Sequence, residues 1–162
     1  MTGRSRYAAA LAAGLAVALA PRAAPAQAIP PTPEVRADLL GPGPGALELG
    51  AGVNLGAGYY QRVELDAAGG ARGGAGALVG TGRLDALMRL LLDPFGQRRW
   101  GLSLAGGVSV RYDAGGKVRP YLAGALDFEG PTRHGVRVAY QVGFGGGVRL
   151  GVVIRRVTTH WR

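Results

Sequence analysis

From residue 136 to residue 154 the chain reads VRVAYQVGFGGGVRLGVVI, with Val136, Val138, Tyr140, Val142, Phe144, Val148, Leu150, Val152 and Ile154 all at even positions. Arg137, Ala139, Gln141, Gly143, Gly145, Gly147, Arg149, Gly151 and Val153 fall between them. Successive side chains of a β-strand point to opposite faces, so a period of two predicts strands with one apolar and one small or polar face. The rule recurs in ALELGAGVNLGAGYYQRVELDA, where Leu47, Leu49, Val53, Leu55, Tyr59, Val63 and Leu65 oppose Glu48, Asn54, Arg62, Glu64 and Asp66. It holds for WGLSLAGGVSVRY, with Trp100, Leu102, Leu104, Val108, Val110 and Tyr112 on one face, and for KVRPYLAGALDFE, with Val118, Leu122, Leu126 and Phe128.

RLDALMRLLLD, residues 83 to 93, has the composition of an amphipathic helix,. It alternates equally well as a strand and runs into DPFGQRR, a turn with proline at its second position, so a strand is expected. Glycine and proline runs place turns at 67–74, 93–98, 113–116 and 129–135, with tighter reversals near Gly56, at Gly80 to Gly82 and within Gly145-Gly146-Gly147,. The resulting strands are 46–54, 57–67, 74–81, 83–92, 99–112, 117–128, 135–145 and 147–157. Fewer strands, six or seven, result if the glycine runs are bulges.

The polar face separates two kinds of barrel. A water-facing sheet carries long solvated side chains, whereas here that face is mostly Gly, Ala and Ser with scattered Arg and carboxylates,. Such residues suit the interior of a narrow closed barrel, where charges must pair across the lumen. Arg62, Glu64 and Asp66, Asp85 with Arg89, Arg119 with Asp127, and Arg111, Arg137 and Arg149 are the expected members of that network. Trp100 and Tyr112 bracket one apolar face, and the stretch between them, tilted by about 40°, spans roughly 30 Å, enough to place both rings at the interfaces of an apolar band of about 25 Å. In hydrocarbon every backbone polar group must pair, so the sheet is expected to close. The fold class is therefore all-β, an antiparallel up-and-down transmembrane β-barrel of about eight strands.

The ends of the chain add a compartment. Arg4 and Arg6 precede an apolar run from Tyr7 to Ala20, too short for a helical span, and Ala26-Gln27-Ala28 offers a cleavage site,. Residues 1–28 are read as a signal peptide, 29–45 as a Pro/Gly-rich leader, 46–157 as the barrel domain and 158–162 as a tail. Cleavage removes three arginines and no acid, lowering the formal charge from +9 to about +6,. The chain contains no cysteine, so neither disulfides nor thiolate metal sites exist, and Lys117 is its one lysine,.

Together with the signal segment and the mature length, the glycine-rich alternating strands YQVGFGGGVRL and WGLSLAGGVSVRY resemble the small outer-membrane β-barrel family of bacteria, the OmpA/OmpX-like membrane domains, over residues 46 to 157. The resemblance implies outer-membrane lipid and the barrel-assembly machinery as partners. Its members usually end on an aromatic residue in the last strand, whereas here Trp161 is penultimate and Arg162 follows.

No catalytic, cofactor-binding or metal-binding residue is expected. GFGGGV leads into a strand rather than a helix, and GPGPGA has prolines and no preceding strand, so neither cradles a phosphate,. Ser103 and Ser109 have no local histidine partner, since His134 sits in a polar turn and His160 in the tail. The arginines alternate with apolar residues instead of clustering, except in VVIRRVTTHWR, and an exported chain does not meet cytoplasmic DNA, so no nucleic-acid partner is expected. The expected function is that of a non-enzymatic outer-membrane barrel with a structural or surface-interaction role and a lumen filled by side chains. Short connections leave no long surface loop for recognition. Two alternatives are a soluble periplasmic or secreted barrel with its apolar side chains turned inward around a small ligand, and a membrane-embedded lipid-modifying enzyme.

Overall fold

The computed structural model describes residues 30–42, 45–73, 77–93, 99–113 and 116–157. Eight strands form: β1 (Thr32–Gly41), β2 (Ala46–Gly56), β3 (Gln61–Gly73), β4 (Leu78–Leu91), β5 (Gly101–Asp113), β6 (Lys117–Glu129), β7 (Val136–Phe144) and β8 (Val148–Arg156). Each pairs antiparallel with its sequence neighbour, and β1 closes the ring against β8 from Glu34 opposite Arg155 to Gly41 opposite Val148. An even strand number puts both termini of the ring at one end with the β2–β3, β4–β5 and β6–β7 connections. The β1–β2, β3–β4, β5–β6 and β7–β8 connections join the strands at the other, here called the hairpin end. The expected signal peptide and tail lie outside the described residues. No helix among the described residues is long and apolar enough to cross a membrane, which has no bearing on crossing by strands.

Alternation is executed as the sequence implies, and it answers the question of faces. Leu104 and Val138 are 54% and 38% exposed on the outer surface, while Arg149 and Arg155 from the opposite parity are buried. The same division runs round the ring. Val35, Leu39, Leu47, Leu49, Leu84, Met88, Leu122, Val142 and Leu150 point out. Glu34, Arg36, Asp38, Glu48, Glu64, Asp85, Arg89 and Asp127 point in and are buried. Trp100 and Tyr112 are both exposed at opposite ends of the outer face. Tyr59, Tyr60, Phe128 and Tyr140 join Trp100 at the termini end, and Phe144 joins Tyr112 at the hairpin end. Phe128 and Tyr140 sit directly opposite one another on β6 and β7, an outward aromatic pair,.

The strands differ from the expected ones chiefly in three places, and the first two differences cancel in the count. The segment read as a leader contains β1, because VRADLLG alternates Val35, Ala37 and Leu39 against Arg36, Asp38 and Leu40 between flanking prolines. Proline at 33 is tolerated at the start of a strand. The expected strands 74–81 and 83–92 are instead one, β4, running straight through Gly80 and Gly82. Residues 67–73 of the turn expected at 67–74 are likewise strand, since β3 continues to Gly73. Glycine there meets a need for close approach, not for reversal: a Cβ on Gly70 would overlap the Leu47 carbonyl oxygen and come within 2.7 Å of the Glu48 Cα,. The reversal at Gly145 to Gly147 is real, with Gly146 at φ 73°,. Of RLDALMRLLLD, residues 83–91 are strand, as the alternation requires.

Candidate functional site

Eight of the chain's ten carboxylates are buried inside the barrel: Glu34, Asp38, Glu48, Glu64, Asp66, Asp85, Asp127 and Glu129. Five arginines are buried with them, namely Arg36, Arg83, Arg89, Arg149 and Arg155. Charges so removed from water are tolerable only when paired and hydrogen-bonded. The strand period supplies them, because every second residue of a strand in a closed barrel is delivered to the axis.

The network has two halves. Toward the termini end, Arg155 of β8 contacts Glu34 at 2.8 Å, Asp127 at 2.8 Å and Glu129 at 3.1 Å. Arg89 of β4 reaches Asp127 at 2.8 Å and Glu129 at 3.3 Å and also pairs with Glu64. Arg137 covers Glu129 from the rim at 2.8 Å. Toward the hairpin end, Arg83 of β4 bonds Asp38 of β1 at 2.6 Å and lies 3.2 Å from Glu48 and 3.1 Å from Asp85. Arg149 of β8 bonds Asp85 of β4 at 2.6 Å. In a ring of eight, β4 and β8 stand diametrically opposite, so this last contact crosses the whole lumen.

Arg36 joins the halves. Its Nε donates to Asp38 at 2.8 Å, its Nη1 to Glu64 at 3.3 Å and to Asp66, and its Nη2 to Gln141, whose amide in turn donates to Asp127 at 2.8 Å. Glu34, Glu64 and Asp66 bring carboxylate oxygens within 4.8 Å of one another, a spacing a cation could use. The Arg36 guanidinium stands between Glu64 and Asp66, so the positive charge such a cluster needs is supplied by the chain itself.

Several expected partners are rearranged. Asp85 pairs with Arg83 and Arg149 instead of Arg89. Residues four apart on one strand face are separated by about 13 Å, too far for Arg89 to meet Asp85, so beyond the next residue of the same face partners are found across strands and across the lumen. Arg119 does not reach Asp127 and sits exposed near the hairpin end. Arg62 turns to the β2–β3 connection, donating to the carbonyls of Gly58 at 2.7 Å and Gln61 at 2.8 Å. Glu34, Arg36, Asp38 and Arg155 were not expected members; the first three lay in the supposed leader, and only the alternation of VRADLLG signalled them.

Glycine completes the packing of the carboxylates. A Cβ on Gly52 would overlap Asp66 Oδ1 and approach the Leu65 carbonyl oxygen to 2.6 Å, and one on Gly151 would overlap Asp38 Oδ1. These inward glycines are hollows into which neighbouring carboxylates fold. Ser103 and Ser109 are buried on the inner face of β5, and neither hydroxyl has a hydrogen-bond partner, whereas His134 is exposed in the β6–β7 connection at φ 51°. The Ser to His hydrogen bond that nucleophilic catalysis would use is therefore not formed among the described residues.

At the hairpin end the network opens into a recess of about 200 Å³. Arg72, Arg111, Arg119, Asp113, Tyr121 and Thr81 are among the residues that line it. Arg111 donates to Glu48 and to the Gly146 carbonyl, both at 3.0 Å.

No protein-family model matches the chain, and the search of curated proteins gives no match. Solved structures do match. Neisserial surface protein A superposes with a TM-score of 0.57 at 10% identity, over 79% of this chain and 96% of that one. A de novo designed transmembrane β-barrel matches at 0.52 and 6% identity, over 77% and 93%. The designed barrel TMB2.3 matches at 0.50 and 14% identity, over 83% and 99%. At such identities the likeness is one of backbone, and the backbone is an eight-stranded, closed, antiparallel ring: this chain has the fold of the small outer-membrane β-barrels.

Proposed function

We propose that the protein is a non-enzymatic barrel of the bacterial outer membrane, exported through a cleaved signal peptide at residues 1–28, inserted by the barrel-assembly machinery and serving a structural or surface-interaction role. The observation that carries this reading is the division of the two faces. Exposed Leu, Val, Met and aromatic side chains form a continuous outer surface, far more apolar than a soluble monomer presents to water,. The charged groups are enclosed. The shortest strands, β7 and β8, have nine residues each and span about 23 Å at a tilt of about 40°, matching the apolar band of a barrel membrane protein,. The backbone match to a Neisserial surface protein and to designed transmembrane barrels supports the same placement.

The soluble carrier loses its premise, since it requires Leu104 and Val138 to face the axis and both face outward. The lumen carries Arg149 to Asp85 and Arg83 to Asp38 across its width, so the barrel is read as closed to ion flow. Fractionation of producing cells tests the reading directly. The protein is expected in the outer membrane, with faster migration on an unboiled than on a boiled gel and no steady conductance in a planar bilayer. A detergent-free, buffer-soluble monomer would overturn it.

A further inference from the structure

The register of β4, β5 and β6 sets three arginines side by side on the inner face: Arg83 lies directly opposite Arg111, and Arg111 directly opposite Arg119. Like charges directly opposed across strands repel, and such a row persists only where counter-charge is at hand. For the first two it is. Arg83 has Asp38, Glu48 and Asp85, and Arg111 has Glu48 and the Gly146 carbonyl. Arg119 has no carboxylate within ion-pair distance among the described residues, and the nearest lining acid, Asp113, lies 3.9 Å from Arg72 of β3.

The fold holds this uncompensated charge out over an opening. β6 pairs with β5 from Glu129 to Lys117, but with β7 only from Glu129 to Gly124. The β5–β6 hairpin therefore stands above the β7–β8 connection as a lip, with Arg119 and Tyr121 on its inner side. Pro120, opposite Val110 of β5, occupies the stretch of the lip that has no β7 neighbour, and proline is confined to such edge positions of a sheet. Below the lip, the Gly145 to Gly147 connection lies flat under Tyr121 and Arg111; a Cβ on Gly146 would come within 2.7 Å of the Tyr121 ring and 2.8 Å of Arg111 Cδ. The glycine turn keeps the recess open beneath the arginines.

We propose that this recess binds a phosphate-type oxyanion, a mono- or diphosphate group held by the guanidinium forks of Arg119 and Arg72, with Arg111 behind them. Guanidinium matches tetrahedral oxyanions through paired N–H donors, and three arginines against one lining carboxylate leave the site cationic,. The group could reach the mouth free in solution or as the phosphorylated sugar of an outer-leaflet glycolipid. The site itself rests on the mouth geometry alone, whereas the glycolipid source rests on the membrane placement proposed above.

The test uses the full mature barrel in zwitterionic detergent micelles, with arginine Nε–H resonances followed by NMR at constant ionic strength. Inorganic pyrophosphate is expected to shift the Arg119 and Arg72 signals saturably, while equal ionic strength of chloride does not. Arg119→Gln and Arg72→Gln, both at the exposed rim, should each weaken binding about five- to tenfold while the unboiled-gel mobility stays native. Vesicles doped with a phosphorylated glucosamine glycolipid separate the sources: shifts at the same arginines identify a glycolipid headgroup, and their absence alongside pyrophosphate binding identifies a free phosphate. Linear, unsaturated shifts with pyrophosphate, or saturable ones that both variants retain, would overturn the proposal.

Discussion

At the scale of single residues, the inner glycines and outer glycines do different jobs, although the sequence writes them alike. Gly52 faces the lumen against Asp66 and the Leu65 carbonyl, whereas Gly106 faces outward with nothing within 4 Å of a Cβ. Gly52→Ala must push backbone or displace the carboxylate that Arg36 holds, so a loss of about 1–3 kcal/mol is expected, the usual cost of overpacking. Gly106→Ala should change stability by less than about 0.5 kcal/mol, as outlying surface substitutions do. Urea unfolding midpoints of the refolded barrel in lipid vesicles check both, and equal losses would show that the carboxylate hollows are unimportant. The charges obey a similar logic. Because Asp127 serves Arg89, Arg155 and Gln141 at once, and Arg36 reaches two strands besides its own, no buried member is exchangeable for another of the same sign in a different place.

At the scale of elements, β1 is the strand on which closure depends. It pairs with β2 over nine residues and with β8 over eight, and it brings Glu34, Arg36 and Asp38 to the network. Deleting residues 30–41 from the mature chain is expected to abolish the compact, heat-modifiable form on gels, where a true leader would leave it intact. Alternation made most of the other strands readable in advance, including β4, whose composition favoured a helix. Boundaries were less legible, for a physical reason. Glycine marks reversal at 145–147 but marks close strand approach at Gly70 and Gly107, where a Cβ would overlap a neighbouring carbonyl oxygen, and one-letter sequence does not distinguish the two. Proline misled in the same manner at Pro33. The inward location of the charges was legible from the smallness of their neighbours on the same face. Their pairing was not, because Asp85 finds Arg149 across the barrel and Arg119 finds no acid among the described residues, and both outcomes depend on register and shear that no local pattern encodes.

At the scale of the whole molecule, the two solvents of this protein are reversed relative to a water-soluble domain. Its interior is held by charge-assisted hydrogen bonds, and its hydrophobic side chains are left for the surroundings to cover. Among the described residues, the buried hydrophobic cluster of Leu87, Ala105, Ala123 and Ala125 could not hold a sheet of this size together in water. On the membrane placement proposed above, hydrocarbon outside both covers the apolar face and obliges the backbone ladder to close. The absence of cysteine makes the decisive measurement clean: spin labels introduced one at a time along β5, from Leu102→Cys to Tyr112→Cys, in vesicle-reconstituted protein. Accessibility to oxygen should peak at the even positions, with Leu104, Gly106 and Val108 deepest in the bilayer, and fall at Ser103, Ala105 and Ser109. The opposite phase, or high accessibility to a water-soluble nickel chelate at Leu104 through Val108, would contradict the placement of this face in lipid.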